Sequence, residues 1–131
     1  MANEVVLDTS ALVEYADGSQ KGAIVRDLIE SQRYIVVVPS IVLAEFSSIS
    51  ERKGFAGLDK FLDLLRFYTV FLEVEPNIYI NAGKRHAKLR KFEKDISVID
   101  SIIMEIADAH GGALVISTDP HFKHYKNSRI I

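Results

Sequence analysis

The stretch Glu4-Val-Val-Leu7 is a short apolar run that ends directly at Asp8-Thr9-Ser10. A run of aliphatic and β-branched residues bounded by polar ones is typical of a buried strand in a parallel sheet. The polar cluster can cap the start of a helix, so the chain is predicted to open as strand, turn and helix. Ligands of α/β proteins bind outside the carboxyl ends of such strands, and Asp8 stands at that position.

The alternation of strand and helix continues to the end of the chain. Strands are predicted at 4–7, 34–38, 69–74, 113–116 and 129–131. Helices are predicted at 11–16, 20–32, 40–53, 58–67, 76–92 and 97–110. This order predicts a single α/β domain over 1–131, in which helices cover both faces of a central, mainly parallel sheet.

The composition limits the kind of site and the compartment. The 131 residues include no cysteine, which excludes disulfides and thiolate zinc sites. The net charge of −2 neither demands nor forbids a nucleic-acid partner, because the distribution of charge matters more than its sum. We see no signal-peptide pattern and no apolar run of the roughly 18 residues that a membrane helix needs. We therefore expect a cytoplasmic protein that makes no use of a membrane.

Four carboxylates stand where a shared site explains them better than separate structural roles. Asp8 and Asp119 follow predicted strands, although either could be an ordinary helix cap or turn residue. Glu45 and Asp100 lie in predicted helices among apolar neighbours, where a lone charge is costly unless it is paired, protonated or bound to a metal. Hard divalent cations prefer oxygen ligands. We therefore predict Asp8, Glu45, Asp100 and Asp119 as catalytic residues and as ligands of Mg²⁺ or Mn²⁺.

The helix predicted around Asp100 has a second stripe on its opposite side. Ser101, Glu105 and Asp108 have the spacing of a solvated face, which predicts structural roles for these two acids. The four histidines are dispersed, and the three-residue spacing of His121 and His124 is weak evidence for a metal site.

Basic residues are concentrated between Lys84 and Lys94, which hold six of them against one acid. Either Arg85 or Lys84 falls at helical spacing with Lys88 and Lys91, so one helix face could follow a phosphate backbone and offset the charge of the acids. A solvated helix face explains the same spacing equally well. We predict Arg85, Lys88 and Lys91 as substrate-binding residues.

Several blocks of the sequence resemble the motifs of PIN domains. The block 5–13 resembles their opening strand and turn, and 39–46 resembles their second motif, in which a helix carries the glutamate. The blocks 100–107 and 114–122 resemble their paired third and fourth motifs. The blocks occur in the family's order over nearly the whole chain. The length of the chain and the style of these motifs resemble those of VapC-type toxins from prokaryotic toxin–antitoxin pairs.

This resemblance implies a PIN-like three-layer α/β/α sandwich and an endoribonuclease that hydrolyses RNA phosphodiester bonds with Mg²⁺ or Mn²⁺. It also implies a homodimer and a small antitoxin protein as inhibitor. It gives a site role to each of the four acids, and it marks Ser10 and Ser117 as small hydroxyl residues that support them. The chain departs from the family's pattern at the charged segment 93–97 and at Met104-Glu105, which bears on substrate contacts and local packing.

Other functions remain open at this level. The catalytic motifs do not separate a toxin from a PIN-type RNA-processing nuclease, or from a domain that binds RNA without cutting it. A receiver-like magnesium-binding signalling domain would need a phospho-acceptor aspartate after a middle strand and a lysine after a later one. The third predicted strand instead runs into Glu75-Pro76, and the fourth runs into Thr118-Asp119.

Overall fold

The computed structural model describes residues 3–131. The strands are β1 (Glu4–Leu7), β2 (Ile35–Pro39), β3 (Val70–Leu72), β4 (Leu114–Ser117) and β5 (Ser128–Ile130). The helices are α1 (Thr9–Asp17), α2 (Gln20–Glu30), α3 (Ser40–Lys53), α4 (Leu58–Tyr68), α5 (Pro76–Leu89) and α6 (Val98–Ala109). A short 3₁₀ helix spans Pro120–His124. Within this range the strands form one parallel sheet in the order β3-β2-β1-β4-β5, which confirms the predicted fold class.

Local sequence explains where several helices begin and end. Gly18 adopts a left-handed conformation with φ of 66° and ends α1. Ser19 then caps α2, because its hydroxyl accepts a hydrogen bond from the Gly22 amide at 2.9 Å. Pro76 begins α5. Proline has no amide hydrogen, but the amides of the first helical turn have no acceptor within the helix, so no helical hydrogen bond is lost.

Several predicted elements are shorter in the structure, most clearly the third strand and the fifth helix. The strand predicted at 69–74 is confined to Val70–Leu72, because β3 is an edge strand and pairs only with the last three residues of β2. The helix predicted to reach Phe92 ends at Leu89, so Lys91 lies in the turn that follows. The 3₁₀ helix after β4 was not predicted.

The helices form the outer layers around the buried sheet. Side chains of β1, β2 and β4 are almost fully buried beyond the first residue of each strand, and α1 packs against α2 and α3. α5 packs against α6 through a smaller cluster around Ala82, Ile102 and Ile106. Among the described residues, no helix combines the length and the hydropathy that crossing a membrane would require.

The order of the strands determines where the site can form. The chain places β2 and then β3 on one side of β1, and β4 and then β5 on the other. The direction of winding therefore reverses between β1 and β4, and the crevice outside their carboxyl ends is the position where open α/β sheets bind ligands. Asp8 follows β1 and Asp119 follows β4 closely, while α3, which carries Glu45, begins directly after β2.

Candidate active site

Asp8 is buried at the carboxyl end of β1, with 5% of its surface exposed. It occupies the N-cap position of α1, yet its side chain makes no capping hydrogen bond. Its Oδ2 instead accepts hydrogen bonds from Ser10 Oγ at 2.9 Å and Ser117 Oγ at 2.7 Å. Burial raises the pKa of Asp8 above its usual value, the two hydroxyls oppose this, and the charge of Glu45 raises it further.

Ser10 and Ser117 connect the ends of the two central strands. Their hydroxyl oxygens lie 3.1 Å apart. Ser10 Oγ accepts a hydrogen bond from the Thr118 amide at 3.0 Å, and Ser117 Oγ accepts one from the Asp119 amide at 2.9 Å. Both residues predicted to support the acids therefore contact Asp8 and also hold the segment that leads to Asp119.

Glu45 reaches the same region from α3. Thr9 Oγ1 donates a hydrogen bond to Glu45 Oε1 at 2.6 Å, and Thr9 is itself buried at the start of α1. The charge of Glu45 acts on Asp8, so the two carboxylates lie close enough to repel each other. Sequence reasoning did not single out Thr9, although it stands directly beside Asp8.

Asp100 is the third residue of α6, nearer to the helix start than the sequence predicted. It forms a capping box with Ser97: the Asp100 amide donates to Ser97 Oγ at 3.0 Å, and the Ser97 amide donates to Asp100 Oδ2 at 3.3 Å. Burial nevertheless raises the pKa of Asp100 to about 6, and the charges of Asp119 and Asp8 contribute to that rise. Asp100 is thus electrostatically linked to two of the other acids.

Asp119 has two roles in the structure. Its Oδ1 accepts a hydrogen bond from the His121 amide at 2.9 Å, so it caps the 3₁₀ helix as an ordinary N-cap would. Its carboxylate also acts on Asp100, which places it at the shared site. The two interpretations left open by the sequence therefore both apply to this residue.

The imidazole of His121 lies among these acids, and the sequence predicted a phosphate contact for this residue but no role as a metal ligand. Its Nδ1 is 3.1 Å from Asp119 Oδ1 and 3.9 Å from Asp100 Oδ2. Potential ligand atoms of Asp100, Asp119 and His121 all lie within 4.8 Å of one another. The signal in the sequence was its position two residues after Asp119, which the scattered distribution of histidines obscured.

The donor set fits a hard divalent cation. Asp8 is linked to Glu45, and Asp100 is linked to both Asp8 and Asp119, in each case through repulsion between carboxylates. A cation between these groups would relieve that repulsion, and carboxylate oxygens are the ligands that Mg²⁺ and Mn²⁺ prefer.

Comparison with known proteins decides the family. The sequence profile of the PIN domain matches residues 5–127. This chain belongs to the PIN domain family. The receiver-like alternative is thereby set aside. None of the curated proteins matches the sequence.

Solved structures share the fold of this PIN domain at low sequence identity. VapC20 of Mycobacterium tuberculosis, described as a toxin that cleaves the sarcin–ricin loop, is 17% identical with a TM-score of 0.78, over 94% of this chain and 95% of that one. VapBC2 of Rickettsia felis, bound to a promoter DNA fragment, is 18% identical with a TM-score of 0.77 over 98% of both chains. DNA-bound VapBC of Salmonella typhimurium is 21% identical with a TM-score of 0.71, over 100% of this chain and 98% of that one.

The basic residues between Lys84 and Lys94 differ in whether they pair with acids of the protein. Arg85 Nε donates to Glu105 Oε1 at 3.0 Å, and its Nη2 pairs with Asp108, so this side chain is engaged with α6. Lys88 and Lys91 are exposed. The prediction of a solvated stripe along α6 was therefore wrong: α5 packs across that face, although the structural role predicted for Glu105 and Asp108 agrees with their pairing.

Replacing Arg85 tests this difference. We expect Arg85→Gln to lower the free energy of unfolding by about 2 kcal/mol, because the half-buried Glu105 loses its partner and Asp108 keeps only Lys126. The salt dependence of RNA binding should stay unchanged. Urea unfolding and RNA titrations at several salt concentrations measure the two effects. A lower salt slope with unchanged stability would support the predicted substrate-binding role of Arg85 and contradict the structural one.

Proposed function

We propose that this PIN domain is a metal-dependent endoribonuclease that hydrolyses RNA phosphodiester bonds. The observation that supports this most directly is that Asp8, Asp100 and Asp119 lie close together at the sheet's switch point, where burial and the charges of Asp119 and Asp8 raise the pKa of Asp100. Groups with raised pKa values in a cleft are candidates for function, and a cluster of oxygen ligands favours hydrolysis assisted by a divalent ion.

Asp8, Glu45, Asp100 and Asp119 would hold the cation, Mg²⁺ or Mn²⁺. When bound, it lowers the pKa of water and offsets charge on the scissile phosphate and the leaving oxygen. The protein positions its carboxylates before the cation binds. The Ser117 and Thr9 hydroxyls donate hydrogen bonds to Asp8 and Glu45, and the capping box at the start of α6 holds Asp100. Such prior positioning lowers the entropy lost on forming the reactive arrangement.

Cleavage of a pool of RNAs tests the proposal. The purified protein is incubated with Mg²⁺, Mn²⁺ or a chelator, with Asp8→Asn as a matched control that keeps the size of the side chain. We expect cleavage with either metal, none with the chelator, and none from the variant. RNA binding without cleavage under every condition would contradict the nuclease proposal and favour a binding domain.

The exposed lysines near the site are proposed to bind the RNA backbone. The segment after α5 approaches the acids, since Glu93 Oε2 lies 3.8 Å from His121 Nε2 and the His121 ring neighbours Asp100 and Asp119. Lys88 and Lys91 therefore lie on a segment that leads into the site, where their charge offsets the repulsion between phosphate and carboxylate.

Neutralising these lysines tests their role. The double variant Lys88→Gln/Lys91→Gln should weaken binding to all RNAs and reduce the slope of log affinity against log salt by about 1.4, the value for two phosphate contacts on a single strand. Lys21→Gln/Lys60→Gln, with two exposed lysines on α2 and α4, is the control. An unchanged slope in the first pair would show that the face is only solvated.

We further propose that the protein is the toxin of a toxin–antitoxin pair, acts in the cytoplasm as a homodimer and is inhibited by a small antitoxin protein. Support comes from similar folds described as a toxin and as VapBC complexes. Expression of the chain alone should arrest bacterial growth, and Asp8→Asn should not. Cleavage in vitro without arrest would favour an RNA-processing nuclease.

A further inference from the structure

The Nδ1 atom of His121 is buried and has no hydrogen-bond partner within residues 3–131. Its separation of 3.1 Å from Asp119 Oδ1 lacks the angle of a hydrogen bond, so the two groups are near each other without being bonded. Buried polar atoms are almost always satisfied, by protein, water or an ion. An unsatisfied ring nitrogen among carboxylates therefore indicates a ligand that binds there.

The other ring nitrogen of His121 faces a carboxylate. His121 Nε2 is 3.8 Å from Glu93 Oε2. Glu93 is itself held by His124 Nε2 at 3.0 Å and by Lys123 Nζ at 3.2 Å. Histidines that bind metals usually direct their second nitrogen to a carboxylate, which places the proton there and leaves a lone pair on the first. Glu93 can favour this tautomer, with the lone pair on Nδ1.

The distances around Nδ1 agree with a single coordination sphere. On an ion with bonds of about 2.1 Å, neighbouring ligands lie about 3 Å apart and opposite ones about 4.2 Å apart. Nδ1 is 3.1 Å from Asp119 Oδ1 and 3.9 Å from Asp100 Oδ2. Both separations fall within that range, so one ion can contact all three side chains.

We propose that His121 binds the divalent cation directly through Nδ1, together with Asp100 and Asp119, and thereby makes the site prefer Mn²⁺ to Mg²⁺; this rests on the metal site of the proposed function. Imidazole nitrogen suits first-row transition ions, whereas Mg²⁺ prefers oxygen and gives up its waters reluctantly. The competing interpretation is that His121 is a protonated counter-ion of the two acids, which a bound cation would displace.

Pulsed electron paramagnetic resonance of the full chain loaded with Mn²⁺ alone distinguishes these interpretations. A directly bound imidazole produces ¹⁴N modulation of the manganese signal. We expect this modulation in the wild-type protein, its loss in His121→Gln, and its retention in His124→Gln, whose ring contacts Glu93 and none of the four acids. The Kd for Mn²⁺ should rise at least about tenfold in His121→Gln, and that for Mg²⁺ less than about threefold.

The wild-type spectrum alone can overturn the inference, so the result does not depend on the folding of a variant. Bound Mn²⁺ without nitrogen modulation would show that His121 is a counter-ion, while leaving the carboxylate site and the nuclease proposal intact. Modulation that persists in a folded His121→Gln would assign the nitrogen elsewhere. If Mn²⁺ does not bind the wild-type protein at all, the metal site of the proposed function fails as well.

Discussion

Asp100→Asn is expected to abolish cleavage and to stabilise the metal-free protein. The rate should fall at least about a thousandfold, because several kcal/mol of transition-state stabilisation depend on the cation that this carboxylate would hold. The metal-free protein should gain on the order of 2 kcal/mol at pH 8, because the variant removes a buried charge that Asp8 and Asp119 repel. The asparagine oxygen can still accept the hydrogen bond from the Ser97 amide.

The gain in stability should depend on pH. The pKa of Asp100 is about 6 in the folded chain and 3.8 in its reference state, so the folded protein retains a proton that the unfolded chain has lost between these values. The free energy of unfolding therefore falls as pH rises from about 4 to 6, and the loss is complete above that range. The advantage of Asp100→Asn should be largest at pH 8 and close to zero near pH 4.

Thermal unfolding in chelator at both pH values, with a cleavage assay in Mn²⁺, measures these effects. Asp63→Asn is the matched control, because Asp63 is exposed on α4. A variant that cleaves RNA at the wild-type rate would remove Asp100 from the active site. A variant that unfolds at a lower temperature than wild type at pH 8 would show that the capping box outweighs the repulsion.

Gly22→Ala is expected to lower the free energy of unfolding by about 3 kcal/mol, although alanine is the better helix former. Gly22 lies in the first turn of α2, and a Cβ atom there would be 2.0 Å from the Glu14 carbonyl oxygen and 2.6 Å from its carbon. Both atoms belong to the backbone of α1, so a helix must shift. The start of α1 follows Asp8, and activity should decline as well.

Gly83→Ala provides the opposite control within α5. Nothing lies within 4 Å of the Cβ position at Gly83, so this change should stabilise the protein by about 0.5–1 kcal/mol through helix propensity and a less flexible unfolded chain. Urea unfolding of both variants measures the difference. If Gly22→Ala were as stable as Gly83→Ala, α1 and α2 would have more freedom than the structure gives them.

Patterns within short segments predicted most of the elements of this PIN domain. Apolar runs identified β1, β2 and β4, since a strand buried on both faces must be apolar throughout. The predicted starts of α2 and α5 were correct, because the cap at Ser19 and the proline at Pro76 act on neighbours in the chain. The pattern overestimated the length of β3, because that length depends on pairing with β2.

The residues of the candidate site were likewise predictable where they depended on local sequence and not where they depended on contacts between segments. Asp8 and Asp119 could be singled out because each follows a strand closely, and Ser10 and Ser117 because of the family resemblance. The sequence did not indicate that both hydroxyls would donate to one oxygen of Asp8. It also did not indicate that Asp100 would lie in a capping box, because one residue's difference in the helix start changes which amides are available.

The sequence by itself determined the kinds of element, their order and the acids that follow them, because periodicity, caps and strand ends depend on residues a few positions apart. Only the tertiary structure decided which side chains from distant segments contact one another. Arg85 was assigned to RNA by its spacing along one helix, yet α6 lies against α5 and its two acids neutralise that charge. His121 gained its neighbours in the same way, since Glu93 and Asp100 reach its ring only once the chain has folded. Contacts between distant segments depend on packing, which no local pattern records.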